Sequence, residues 1–206
     1  LPTGALVCLV EKHGERSFLT YRGANAALST ADLPASLLDD VRLLHVSGYA
    51  LIDPGPRAAV LELIAAARGK GIPVSVDPSS TGFLAEVGPA NFLDWTEGAD
   101  FLFPNAEEAE MLSGAADVDG QLEALTGRYG TVVLKRGALG AIIGRRGEQA
   151  VSAPGRQVEV VDTTGAGDAF LAAYIATWLR GESDAECLEA GIEAGAEAVT
   201  RVGAQP

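Results

Sequence analysis

The densest chemistry in this chain lies in Asp162-Thr163-Thr164-Gly165-Ala166-Gly167-Asp168. An apolar run, Val158 to Val161, leads into it and reads as a strand; a helical run, Ala169 to Arg180, follows. A strand that breaks at small residues and opens into a helix presents unpaired backbone N–H groups at the positive end of the helix dipole, which makes an anion site. Asp168 sits at that helix start, where its charge would oppose the anion. Two readings account for it. The amides hold a phosphoryl group in transit while the carboxylate takes a proton from the acceptor, or Asp168 caps the helix, as Asp often does.

The elements that must position this turn follow from hydrophobic spacing. Residues 5–11 and 16–21 read as two strands joined by the turn Lys12-His13-Gly14-Glu15, a hairpin. From about residue 40, apolar strands at Leu43–Ser47, Ile72–Asp77, Asp100–Phe103 and Thr131–Lys135 recur every thirty or so residues with helical segments between, the period of βαβ units. The first of those helices has Pro56 near its first turn and Gly69 and Gly71 at its end. Near-continuous apolar strands predict a mostly parallel sheet with helices on both faces, an α/β doubly wound architecture. Residues 1–25 are assigned to a small β lid and 26–206 to the α/β core.

Ligands bind at the carboxyl ends of strands in such sheets. That rule selects Ser47-Gly48-Tyr49, Asp77-Pro78-Ser79-Ser80, Pro104-Asn105-Ala106-Glu107-Glu108 and Lys135-Arg136-Gly137. Asn105 and Glu108, three apart at a helix start, share a face and suit the waters around a hard cation such as Mg²⁺. They equally form a capping box. Residues 135–141 join two strands by a tight turn. No Gly-x4-Gly-Lys-Ser/Thr sequence occurs, and no Gly-x-Gly-x-x-Gly follows the first strand, so the usual nucleotide fingerprints are absent. Ser183 to Glu186 is a capping box that starts the last helix, whose Gly191 and Gly195 give it a face of small residues, for close packing on a neighbouring helix or approach of a flat ligand.

Composition bounds the partners. The chain has 206 residues, 48% of them hydrophobic, enough for a sizeable core. Its net charge of −13 argues against nucleic acid or an anionic membrane as partner. No apolar run is long enough for a membrane span. Cys8 and Cys187 are in no metal or redox spacing, which fits a reduced, cytoplasmic setting. The chain starts at Leu1, already close to a strand, and is expected to begin inside a larger protein.

Taken together, Asp162 to Phe170 resembles the second signature of the ribokinase-like (PfkB) carbohydrate kinases. Pro104-Asn105-Ala106-Glu107-Glu108 resembles that family's Asn-x-x-Glu motif, Ala198 to Pro206 its C-terminal segment, and Gly23 to Ser29 the stretch after its lid hairpin. The resemblance implies an ATP-dependent kinase with Asp168 as catalytic base and the amides of Gly165, Ala166 and Gly167 as the anion hole. It implies Asn105 and Glu108 around Mg²⁺, and Lys135, Gly137 and Gly191 near the nucleotide. Asp162, with carbonyls of Thr164, Ala198, Arg201 and Gly203, would form a monovalent-cation loop suited to K⁺. A ribose-like sugar is the implied acceptor, and a homodimer through the lid the implied assembly. Fructose, 2-keto-3-deoxygluconate and nucleosides remain open as acceptors, as does a non-catalytic sensor on the same fold. The family's first Gly-rich signature and first core strand are missing, so an exposed sheet edge and poor solubility are expected of this piece alone.

Overall fold

The computed structural model describes residues 1–10 and 16–203. The hairpin turn Lys12-His13-Gly14-Glu15 and the end of the C-terminal segment, Ala204-Gln205-Pro206, lie outside the described residues. Strands β1 (Ala5–Val10) and β2 (Arg16–Tyr21) pair antiparallel as a separate two-stranded sheet. Leu6, Val7, Leu9, Leu19 and Tyr21 are exposed on it.

The second sheet has six strands in sequence order: β3 (Leu44–Ser47), β4 (Val74–Asp77), β5 (Phe101–Leu102), β6 (Thr131–Lys135), β7 (Ala141–Gly144) and β8 (Val151–Ala153). The first four run parallel, and β7 and β8 add as antiparallel strands. Each parallel strand returns through helices: α1 (Pro54–Gly69), then α2 (Thr81–Val87) and α3 (Pro89–Thr96), then α4 (Ala106–Ser113) and α5 (Val118–Thr126). α6 (Ala166–Trp178) and α7 (Asp184–Ala198) close the chain.

Alternation along the strands divides the core in two. Val46, Val74, Val76, Leu102, Val132 and Leu134 point to one face and pack on α1 to α5. Phe101, Phe103, Val133, Ala141 and Ile143 point to the other and pack on α6 and α7. The predicted mostly parallel sheet covered on both faces is the observed one.

Two expectations are corrected. Val158–Val161 is not a strand: the sheet ends at β8, and the segment beyond it finds no ladder partner among the described residues. It crosses to the end of α7, where Val161 N–H donates to the Val199 carbonyl at 2.8 Å. The helix after the small-residue turn starts at Ala166 rather than Ala169 and ends at Trp178. Gly165 takes the capping position at φ +78°, a left-handed conformation open to a residue without a Cβ.

Candidate active site

A cleft of about 820 Å³ opens at the carboxyl ends of β3 to β6. Each parallel strand delivers polar side chains to it at or near its carboxyl end: His45, Ser47 and Tyr49 at β3, Asp77 and Ser79 at β4, Asn105 and Glu108 after β5, Lys135 at β6, with Gly137 just beyond. Gly165 to Asp168, at the start of α6, form another wall. Gly195, Ala196 and Val199 of the α7 segment complete it.

Gly165, the N-cap residue of α6, has no side chain with which to cap it. The N–H groups of its first turn therefore lack intrahelical partners, although Ala166 N–H makes a long contact of 3.4 Å with the Thr163 carbonyl. Asp168 is the third residue of the helix, and its exposed side chain faces the cleft without capping anything. The capping alternative for Asp168 thus fails, because Gly165 already holds that position.

Asn105 and Glu108 do form a reciprocal capping box. Asn105 N–H donates to Glu108 Oε2 at 2.8 Å, and Glu108 N–H donates to Asn105 Oδ1 at 2.9 Å. Both also line the cleft, so the capping box stands at its wall. Glu108 is 2% exposed. Burial pushes its carboxyl up to about 7, against the opposing pull of the Asn105 N–H and of Lys135. One buried carboxylate and one amide are hard oxygen donors that fit Mg²⁺ through waters. Among the described residues no cluster of three or more His, Cys, Asp or Glu could hold a metal by itself. A cation here would complete its shell with water or with oxygens of a bound anion.

Lys135 Nζ pairs with Asp77 Oδ2 at 2.6 Å. The same Nζ lies 3.4 Å from where a Cβ on Gly167 would be, so the ammonium abuts the first turn of α6. His45 Nδ1 lies 2.9 Å from Ser75 Oγ, and Ser47 Oγ lies 2.9 Å from Ser79 Oγ. Strand-end spacing alone does not single out His45. The alternation Leu44-His45-Val46-Ser47 would find it, since it places His45 and Ser47 together on the face opposite Val46.

The Asp162 carboxylate organises the turn before α6. Its Oδ1 accepts from Thr164 N–H at 2.9 Å and from Thr164 Oγ1 at 2.7 Å, and its Oδ2 accepts from Gly203 N–H at 3.1 Å. Asp162, Thr164 and Gly203 are therefore brought together. Ala198 ends α7 nearby in sequence, and Arg201 turns to pair with Glu197. Gly191 is not brought to the cleft. It is buried, and a Cβ there would meet the Phe170 ring at 2.9 Å, so it serves the contact between α6 and α7.

The profile of the pfkB family carbohydrate kinases matches residues 1–206. A ribokinase from Arabidopsis thaliana is 29% identical over all of this chain and 54% of its own length. The crystal structure of an adenosine kinase from Sinorhizobium meliloti superimposes with a TM-score of 0.92 at 27% identity, over 100% of this chain and 63% of that one. A candidate ribokinase II from E. coli, solved in complex with ATP and Mg²⁺, gives a TM-score of 0.85 at 26% identity, over 97% of this chain and 66% of that one. The chain thus spans between about half and two thirds of the length of these relatives. No helix among the described residues is long and apolar enough to cross a membrane.

Proposed function

The chain belongs to the pfkB family of carbohydrate kinases, and on that premise we propose that it carries the phosphoryl-transfer site of an ATP-dependent kinase acting on a hydroxyl of a sugar, ribose-like in preference to the nucleosides that some relatives take. One observation carries the reading: a carboxylate, Asp168, shares the first turn of α6 with uncapped backbone N–H groups, and the Lys135 ammonium abuts that turn.

The chemistry follows from that placement. The acceptor O–H gives its proton to the Asp168 carboxylate as the oxygen attacks the γ-phosphorus. A new O–P bond forms, the bond from phosphorus to the β,γ-bridging oxygen breaks, and ADP leaves with that electron pair. The N–H groups of Gly165, Ala166 and Gly167 and the dipole of α6 stabilise the charge on the phosphoryl oxygens. Lys135 and Gly137 line the phosphate side of the cleft. Mg²⁺ would neutralise phosphate charge, with Asn105 and Glu108 holding its waters. Asp162, Thr164, Ala198, Arg201 and Gly203 would form the monovalent-cation loop that keeps the turn in shape, with K⁺ as the ion. The apolar faces of the β1–β2 hairpin suit a cover over the acceptor and a contact between two copies, since such a hairpin is marginal alone.

The test is a coupled ADP-release assay on the full-length protein with ATP, Mg²⁺ and a panel of pentoses, hexoses and nucleosides. Turnover with a pentose is expected. Binding of ATP and sugar without turnover would overturn the kinase reading in favour of a sensor.

A further inference from the structure

The proposed chemistry leaves Asp77 without a task, although its carboxylate lies at the base of the cleft. β4 and β6 are not neighbours; β5 lies between them. Asp77 and Lys135, 58 residues apart, nevertheless meet at 2.6 Å across the end of β5. This is possible because the chain after β5 makes its last ladder bond to β4 at Phe103, whose N–H donates to the Val76 carbonyl, while Asn105 still bridges Lys135 of β6. The two side chains are 12% and 13% exposed. Withdrawing two charges from water is costly, and a pair of apolar residues would serve stability as well or better. The pair therefore calls for a reason other than stability.

The rest of the geometry supplies one. The second oxygen of Asp77 is already committed: Oδ1 accepts from Ser79 N–H at 2.7 Å, which fixes the carboxylate and holds Ser79 at φ +73°. A lysine ammonium is a mobile point charge on a flexible stem with three N–H donors. Tied to a fixed carboxylate by one of them, it is held beside Gly167, at the α6 amides, with the others free to turn toward an anion.

We infer that Asp77 is a positioning residue, which holds the Lys135 ammonium at the α6 amides until the transferring phosphoryl group takes it over. This rests on the phosphotransfer reading above. Asp77 acts through Lys135 and touches neither phosphate nor acceptor.

Asp77→Asn separates its two contacts, because an Asn oxygen still accepts from Ser79 N–H while the charge facing Lys135 is gone. In the full-length protein, D77N should lower kcat at least tenfold while the acceptor KM stays within twofold and the thermal midpoint is kept. Lys135→Met should lower kcat at least as much, and adding D77N to it should cause no further fall, since a residue acting only through Lys135 has nothing left to position. Multiplying losses, a wild-type D77N, or a loss confined to the acceptor KM would each overturn the inference. A second measurement needs no turnover. The Lys135 ammonium resonance, assigned by its disappearance in K135M, should shift in the unmutated protein when a non-hydrolysable ATP analogue is added and stay in place with ADP. An unmoved resonance overturns the handover even in an active kinase. Absence of turnover across the acceptor panel overturns the kinase reading instead, and the resonance still decides the handover.

Discussion

Two ion pairs sit at opposite ends of the β6–β7 hairpin, and they are built differently. At the carboxyl end of β6, Lys135 meets Asp77 through one nitrogen and one oxygen. At the other end, just past β7, Arg145 meets Asp184 through two bonds, Nη1 to Oδ2 at 2.6 Å and Nη2 to Oδ1 at 2.8 Å, and its Nε donates to Thr131 Oγ1 at 3.1 Å. The guanidinium is engaged on both its edges and fastens the start of α7 to the sheet. Asp184 also sits in the first turn of α7, where the helix dipole favours a carboxylate. Its carboxyl is held below the usual range, first by the hydrogen bonds from Arg145. A rigid planar fork suits a permanent fastening, whereas a flexible ammonium with spare donors suits a contact that must be exchanged. On the handover proposed above, the cleft end is built to let go and the far end to hold.

The largest effect expected lies at the exchanging end. Asp168→Asn in the full-length protein should cut kcat by about 10²- to 10⁴-fold, the worth of a general base. The thermal midpoint should stay put because Asp168 caps nothing. Near-normal turnover would remove Asp168 from the chemistry and blunt the contrast between the two ends. The fastening end should behave in reverse. Asp184→Ala leaves a partly buried guanidinium without its partner and should cost about 2 kcal/mol, somewhat less than a fully buried pair would. Denaturant unfolding measures the cost, and kcat/KM below the unfolding range should be unchanged.

Glu108 adds a pH dependence at the cleft end. Its carboxyl stands at about 7 in the folded state against an ordinary value of 4.5, so the folded protein binds the proton more tightly. The resulting stabilisation is fully present below pH 4.5 and is lost as pH rises through about 7. Glu108→Gln keeps an acceptor for the Asn105 N–H and stays neutral at all pH. In chelator, the midpoint of E108Q minus that of the parent protein should be greater at pH 8 than at pH 5, corresponding to about 2–3 kcal/mol. Equal differences at the two pH values would show that Glu108 ionises freely. The smallest effect belongs to the fastening end. The Tyr174 hydroxyl is buried with no hydrogen-bond partner among the described residues. Burial pushes that phenol up, out of the range of ordinary solutions. Tyr174→Phe removes a desolvated group and fills nearly the same space, so stability should change by less than about 0.5 kcal/mol or rise slightly. A loss above that would reveal a contact for the hydroxyl in solution.

Much of the cleft is legible in the sequence because strand ends are local signals. Ser47, Asp77, Asn105 and Lys135 each follow an apolar run, and the parallel sheet gathers those ends on one side. The Val158–Val161 run misleads for an equally local reason. A β-branched apolar stretch looks the same whether it pairs in a ladder or lines a cavity wall. Here Val158 and Val160 border the cleft, with Val160 60% exposed in this chain. The start of α6 reads three residues late because Gly-Ala-Gly looks like a turn, whereas packing of Phe170 and Tyr174 against α7 and the sheet carries the helix back to Ala166. Gly191 could pack or bind; the Phe170 ring, which a Cβ there would meet at 2.9 Å, favours packing.

The sequence by itself determined which chemical groups the site contains, since the Asp162–Asp168 turn, the Asn105–Glu108 pair and Lys135 are each readable within a few residues. Tertiary structure alone decided how those groups are paired. Asp77 reaches Lys135 because β4, β5 and β6 lie in that order and the chain after β5 makes its last ladder bond to β4 at Phe103, and Asp162 reaches Gly203 because α6 and α7 return the chain to its own turn. Strand order and helix return are set by how apolar faces are buried across the whole chain, and no local window holds that information.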